Sequence, residues 1–209
     1  MKKKLFVPLF LCAILLGCSK GKKSGFDRAH ILQNQVENLI IPSFNEFSSS
    51  LKSLNASLKS LQEVTNEQHL KTTRAAWIQA KLAWKTCEVN NFGPITELGL
   101  ETAFDRWPAN PVRVESSIEN YQTGTAYLNT LGSNVKGLAA LEYLLFKDNQ
   151  TTTVDLFRNN PNRMSFMIDL GEQLATDLVT VINAWEAYKE AFSTDVSNTA
   201  NAGITLLAN

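Results

Sequence analysis

Residues 160–192 read NPNRMSFMIDLGEQLATDLVTVINAWEAYKEAF, and this stretch decides the fold. Asn160 offers a side-chain oxygen to free helical N–H groups, and Pro161 presets φ for a first helical turn, so a helix is predicted to start here. Met167, Gly171, Leu174, Leu178, Val181, Trp185, Tyr188 and Phe192 then step 4-3-4-3-4-3-4, which lays one apolar stripe along one face. The same rhythm runs upstream through Phe47, Leu51, Leu54, Leu58 and Leu61, inside a helix expected from Phe26 to about Leu61. Pro42 should kink or split that helix, because it lacks a backbone donor and crowds the preceding turn. Thr65 with Gln68 has capping-box spacing and predicts a second helix over about 66–90. Leu70, Trp77, Trp84 and Cys87 share one of its faces, and Arg74, Lys81 and Glu88 share another.

Further on, helical periodicity covers Val112–Leu131 and Val135–Phe146, with a break at Gly132-Ser133 and a polar loop over Lys147–Asn159. No strand pattern of useful length occurs. The expectation is an all-α, antiparallel helical bundle of four to five long helices. One long loop, about 91–112, interrupts it, since three prolines and two glycines there exclude a continuous helix. Phe92, Phe104 and Trp107 within this loop predict that it is ordered and packed on the bundle, and loops of this length are commonly functional.

Lys plus Arg and Asp plus Glu both number 20, and no basic cluster occurs beyond the N-terminus, so the pattern argues against nucleic acid as a partner. A hydrophobic share of 44% with few Gly and Pro residues is that of a folded chain. At the start, three lysines precede the apolar run Leu5–Leu16, and Gly17-Cys18 ends it. Twelve residues rise about 18 Å as a helix, short of a hydrocarbon core of roughly 30 Å, so the segment reads as an export signal and not a span. Leu15-Leu16-Gly17-Cys18 resembles a bacterial lipobox. The expected organisation is a lipoprotein signal peptide at 1–17, a lipidated tether at 18–25 beginning with Cys18, and a bundle at 26–196. The expected partner is the membrane, through lipid on Cys18, and the expected location is the bacterial cell envelope, on the periplasmic side of the outer membrane. Cys12 leaves with the signal and Cys18 takes lipid, which leaves Cys87 as a small core residue with no disulfide partner.

Chemistry is sparse. No HExxH, Cys-x-x-Cys, Walker, GxGxxG or GxSxG motif occurs. His30 and His69 each lie among polar residues near a helix start, with no second ligand at metal spacing, and read as solvated histidines. Glu142 stands out because Leu138 and Leu145 flank it at helical spacing. A carboxylate on an apolar face must be paired, hydrogen-bonded, protonated or ligand-bound. The readings this allows are a buried pair with an Arg or Lys, such as Arg74 or Arg106, a metal or ligand site at the bundle's end, and partial exposure.

The run Gly137-Leu138-Ala139-Ala140-Leu141-Glu142-Tyr143-Leu144-Leu145-Phe146 resembles the signature segment of the imelysins, bacterial exported proteins also called insulin-cleaving membrane proteases. Arg74-Ala75-Ala76-Trp77 with Trp84 and Glu88, then Phe92-Gly93-Pro94, then Asp105-Arg106-Trp107-Pro108 resemble further stretches of that family in the same order, so the likeness covers about 30–209. It implies a lipid-anchored protein tied to iron or haem acquisition, with Glu142, Glu88, Asp105, Arg106 and Trp107 as candidates to hold a metal or ligand. It also implies a divalent metal or iron as cofactor. That implication is weakened at the motif Gly137, Ala139, Glu142, because Ala139 occupies the position of the family's histidine and a methyl group cannot ligate. The expected function is therefore a non-catalytic binding module. A metal-dependent peptidase with Glu142 as its base, or a structural interaction remnant, are the alternatives. Imelysins are longer, with two related bundles, so 197–209 resembles the linker and first turn of a second half. The face that half would cover could drive self-association.

Overall fold

The computed structural model describes residues 27–197 and 203–208. The signal-peptide, Cys18 and tether readings, and the linker residues 198–202, lie outside the described residues. Helix α1 (Arg28–Gln35) is capped by Asp27, whose side chain accepts the His30 N–H. It runs through a π-helical turn (Val36–Ile40) into α2 (Ile41–Glu63). That turn absorbs Pro42. The Ile41 N–H reaches back five residues to the Val36 carbonyl, and Pro42 falls at the start of the next helix, so the chain neither breaks nor loses a buried bond.

Helix α3 (Glu67–Cys87) folds back against α2, capped by Asn66, which accepts the His69 N–H at 2.8 Å. The expected cap at Thr65 is thus one residue early, because its hydroxyl instead donates to the Leu61 carbonyl at the end of α2. Phe47, Leu51, Leu54, Leu58 and Leu61 are fully buried, as are Leu70 and Cys87. Full burial of one such leucine stabilises by about 1.5–3 kcal/mol, so these stripes are the main reason the hairpin holds.

The loop after α3 carries one helical turn, α4 (Pro94–Glu97), and leads to α5 (Pro111–Glu119) and a short α6 (Thr125–Leu128). Val112–Leu131 is therefore not one helix. Asp169 is the cause: its carboxylate takes the Tyr121 hydroxyl and the Gly124 N–H, and Gly124 turns with φ +106°. Helix α7 (Gly137–Phe146) follows a 3₁₀ turn at Ser133–Val135. Lys147–Asn159, expected as a loop, is mostly α8 (Gln150–Asn159), capped by Asn149 and burying Val154 and Phe157. Asn160 caps the long helix α9 (Pro161–Thr194) by accepting the Arg163 N–H, as its sequence predicts.

Every residue of the α9 stripe is buried except Tyr188, which is half-buried. Gly171 on that stripe lets α2 approach: the Asn55 amide donates to the Gly171 carbonyl at 2.9 Å, and a Cβ there would fall 2.2 Å from Asn55 Oδ1. Helix α10 (Gly203–Ala208) packs back on α1 and α9. The result is an all-α bundle in which α9 is the central rod, with three long helical runs and the shorter α7 and α8. Among the described residues no helix is long and apolar enough to cross a membrane.

Candidate functional site

Helix α7 presents two faces. Leu138, Leu141, Leu144 and Leu145 enter the core, while Ala139, Glu142, Tyr143 and Phe146, at i, i+3, i+4 and i+7, line a surface groove. Glu142 thus sits at the border of the apolar stripe and turns outward. The groove has two adjoining lobes. One, of about 270 Å³, is lined by this α7 face with Trp107, Pro108, Ala109 and Lys147. The other, of about 310 Å³, is lined by Trp77, Lys81 and Lys85 of α3 with Trp107 and Glu142. Trp107 and Glu142 belong to both.

Gly137 fixes the loop over this groove. Its φ is +72°, and a Cβ would lie 2.6 Å from the Phe104 carbonyl, so only glycine permits the approach. The Leu138 N–H donates to that carbonyl at 2.7 Å, and the Asn110 N–H to the Asn134 carbonyl at 2.8 Å. Phe104 is fully buried against Phe47 and Trp84. The loop is therefore ordered, as expected, but Trp107 stays 68% exposed on its rim instead of packing into the core. From α3, the Trp77 indole donates to the Leu138 carbonyl at 3.0 Å. Arg74 caps the other end of α7, donating to the Leu145 carbonyl at 2.7 Å and to the Asp148 carbonyl, with its guanidinium 5.3 Å from the Phe146 ring centre. This is a cation on the negative end of the helix dipole.

Charge in the groove is nearly balanced. Asp105 is buried beneath the loop and bonds Lys81 at 2.5 Å, with Lys85 at 3.6 Å. Lys85 also bonds Glu88 at 2.7 Å, and that bond, aided by Asp105, holds its ammonium pKa above the ordinary lysine value against a smaller desolvation penalty. Lys147 and the Tyr143 hydroxyl both reach Glu115, at 3.2 and 2.6 Å. Glu115 in turn receives both guanidinium nitrogens of the buried Arg163, each at 2.7 Å. Burial pushes the Glu115 carboxyl up, but Tyr143, Arg163 and Lys147 together outweigh it and hold it below the ordinary value. Among the described residues no hydrogen bond or ion pair engages Glu142. The alternative of a buried pair with Arg74 or Arg106 is not realised, since Arg74 is spent on carbonyls and Arg106 is exposed.

Of the sequence candidates, Trp107 and Glu142 share the groove. Asp105 supports it from below through Lys81, Glu88 stands at its edge through Lys85, and Arg106 is not part of its lining. Sequence reasoning missed Trp77, Lys81, Lys85, Tyr143, Phe146 and Lys147 as lining residues. The face carrying Arg74, Lys81 and Glu88 was the available signal for α3, and the i, i+3, i+4, i+7 set from Ala139 for α7. A resident metal does not fit these residues. Among the described residues no group of three His, Cys, Asp or Glu side chains comes together, and lysines separate the carboxylates that do approach.

The chain is thus an all-α bundle that carries an aromatic groove under an ordered loop. The chain belongs to the imelysin family: the family model, described as Imelysin and classed as a peptidase family, matches residues 40–209. It is 26% identical over 158 residues to the iron-regulated protein A of Synechococcus elongatus, covering 71% of this chain and 42% of that protein. The crystal structure of an imelysin-like protein from Psychrobacter arcticum superposes with a TM-score of 0.71 at 16% identity, over 87% of this chain and 57% of that one. The chain thus spans less than two thirds of either relative.

Proposed function

We propose that this chain is a non-catalytic, imelysin-type binding module serving iron or haem acquisition at the bacterial cell envelope, anchored by lipid on Cys18. The observation that carries the binding reading is the groove at Trp107 and Glu142. It is preformed, walled by aromatic rings, and holds a carboxylate with no partner among the described residues. The non-catalytic reading rests on what surrounds that carboxylate. Metal-dependent hydrolysis needs an ion to activate water, and beside Glu142 stand the Ala139 methyl and lysines in place of ligands. The iron link is supported by the name of the Synechococcus relative.

The test is growth of a deletion strain under iron limitation. Wild-type protein should restore growth, while the double variant Trp107→Ala, Glu142→Gln, expressed to the same level, should not. Equal rescue by both would refute the groove as the working site. Labelled palmitate should enter the wild type and not Cys18→Ser.

A second reading, self-association, is favoured by one observation. Pro94, Glu97 and Leu98 of the loop and Ala184, Ala187 and Tyr188 of α9 line a shallow, mostly apolar groove of about 490 Å³. Sedimentation that shows a concentration-dependent dimer, lost on Leu98→Glu, would support it.

A further inference from the structure

Each cation that lines the groove already contacts a carboxylate, although Lys147 shares Glu115 with Arg163 and has Asp148 at 3.7 Å besides. Lys81 bonds Asp105, Lys85 bonds Glu88, and Lys147 bonds Glu115. Glu142 is the one lining carboxylate, and no described group neutralises it. The lining rings show a parallel asymmetry. Trp77 has the Lys81 ammonium 5.8 Å from its centre, Phe146 has Arg74, and Tyr143 has Lys147 at 5.0 Å. Trp107 alone among these four rings has no ring or cation neighbour among the described residues, and it is 68% exposed. The two lining residues shared by both lobes are therefore the two without partners: a carboxylate and an indole face.

From this we infer that the groove takes a small organic monocation, an ammonium carried on an apolar or aromatic body, with the charge between Glu142 and Trp107. The inference rests on the reading above that the groove is a binding site and assigns the groove's own ligand; the iron or haem link rests separately on the name of the Synechococcus relative. A carboxylate supplies the hydrogen-bonded counter-charge, and the indole face adds a cation–π attraction that strengthens when water is displaced. A metal ion would need several oxygen or nitrogen ligands, and Glu142 offers one carboxylate with ammonium groups on both sides. An anion would meet ammonium groups that already bond carboxylates, beside an uncompensated carboxylate. A polyamine would bring further positive charge toward Lys85 or Lys147, at the two ends. Each lobe is larger than an ammonium group, which is why the cation is assigned an apolar body.

The experiment is calorimetric titration of the full chain in detergent with phenethylammonium, with phenethyl alcohol as an uncharged probe of the same shape, and with zinc. Phenethylammonium should bind at least about tenfold tighter than the alcohol. Glu142→Gln and Trp107→Ala, with unchanged circular dichroism, should each lower its affinity by about tenfold or more. Equal binding of alcohol and ammonium would overturn the cation assignment while leaving the groove a binding site. So would zinc binding that displaces the ammonium and disappears in Glu142→Gln. No binding of any probe, together with full growth rescue by the double variant, would defeat both readings.

Discussion

Glu115 shows how a single residue supports the groove without lining it. It fixes Tyr143 and Lys147 on the groove wall, and it pairs with both terminal nitrogens of Arg163, whose side chain is 3% exposed. Removing its charge leaves a buried guanidinium unpaired, a loss usually worth about 3–5 kcal/mol. Because the Glu115 side chain is 38% exposed, water can replace part of that contact. Glu115→Gln is therefore expected to cost on the order of 2–3 kcal/mol at pH 7 by chemical denaturation. The pH dependence has a definite sign. The folded carboxyl lies below the ordinary glutamate value, so its stabilisation is present above about pH 4.3 and fades as pH falls through the lower folded value. The gap between wild type and variant should shrink on acidification, and a gap that stayed constant from pH 7 to pH 3 would show that the charge is not its origin. By contrast Cys87, fully buried with its thiol pushed up to about 12 chiefly by desolvation, should stay unmodified by thiol reagents until the protein unfolds.

Among the elements, α7 and the loop before it depend on one glycine. Gly137→Ala introduces a Cβ within 2.7 Å of the Ala103 and Phe104 carbonyls at a left-handed φ. Both atoms are backbone and cannot rotate away, so the loop must lift. We expect a loss of about 2–4 kcal/mol and altered near-ultraviolet signals from Trp84 and Trp77. A variant as stable as the wild type would mean that the loop is held from elsewhere. How much of this was legible in the sequence follows the range of the forces involved. The α9 stripe and the Asn160-Pro161 cap are local patterns and were readable, as was the ordered loop from its buried Phe104. Helix α8 was not, because its exposed face carries Thr151, Thr152, Asp155, Arg158 and Asn159, and its buried side rests on Val154 and Phe157 alone among large residues. The break after Glu119 was hidden because Asp169, its cause, lies 45 residues beyond Gly124. Glu142 was recognised as unusual, but its position on the border of two helix faces left its direction open. Arg163 and Glu115 are 48 residues apart, and nothing local joins them.

At the scale of the whole molecule, the question is whether the groove is built rigid or opens. The buried cluster is continuous from Leu32 in α1 through Phe104 in the loop and Leu138 in α7 to Phe192 in α9. Helix α9 touches α1, α2 and α4 through α8, so the loop over the groove is keyed into the same core that holds the central rod. Elements that move independently of a fold have few buried contacts and solvent-exposed backbone bonds. The Leu138 N–H, bonded to Phe104 at 2.7 Å with both side chains fully buried, is the opposite case. We therefore expect amide hydrogen exchange at Leu138 to be as slow as at Leu178 in the middle of α9, and to follow denaturant with the same slope as global unfolding. A preformed groove of this kind loses little order when a ligand arrives, which favours tight binding by a small molecule over capture by a closing lid. If Leu138 instead exchanged far faster than Leu178 and independently of denaturant, the loop would open locally. The groove would then be gated, and its ligand would have to supply the free energy of closure.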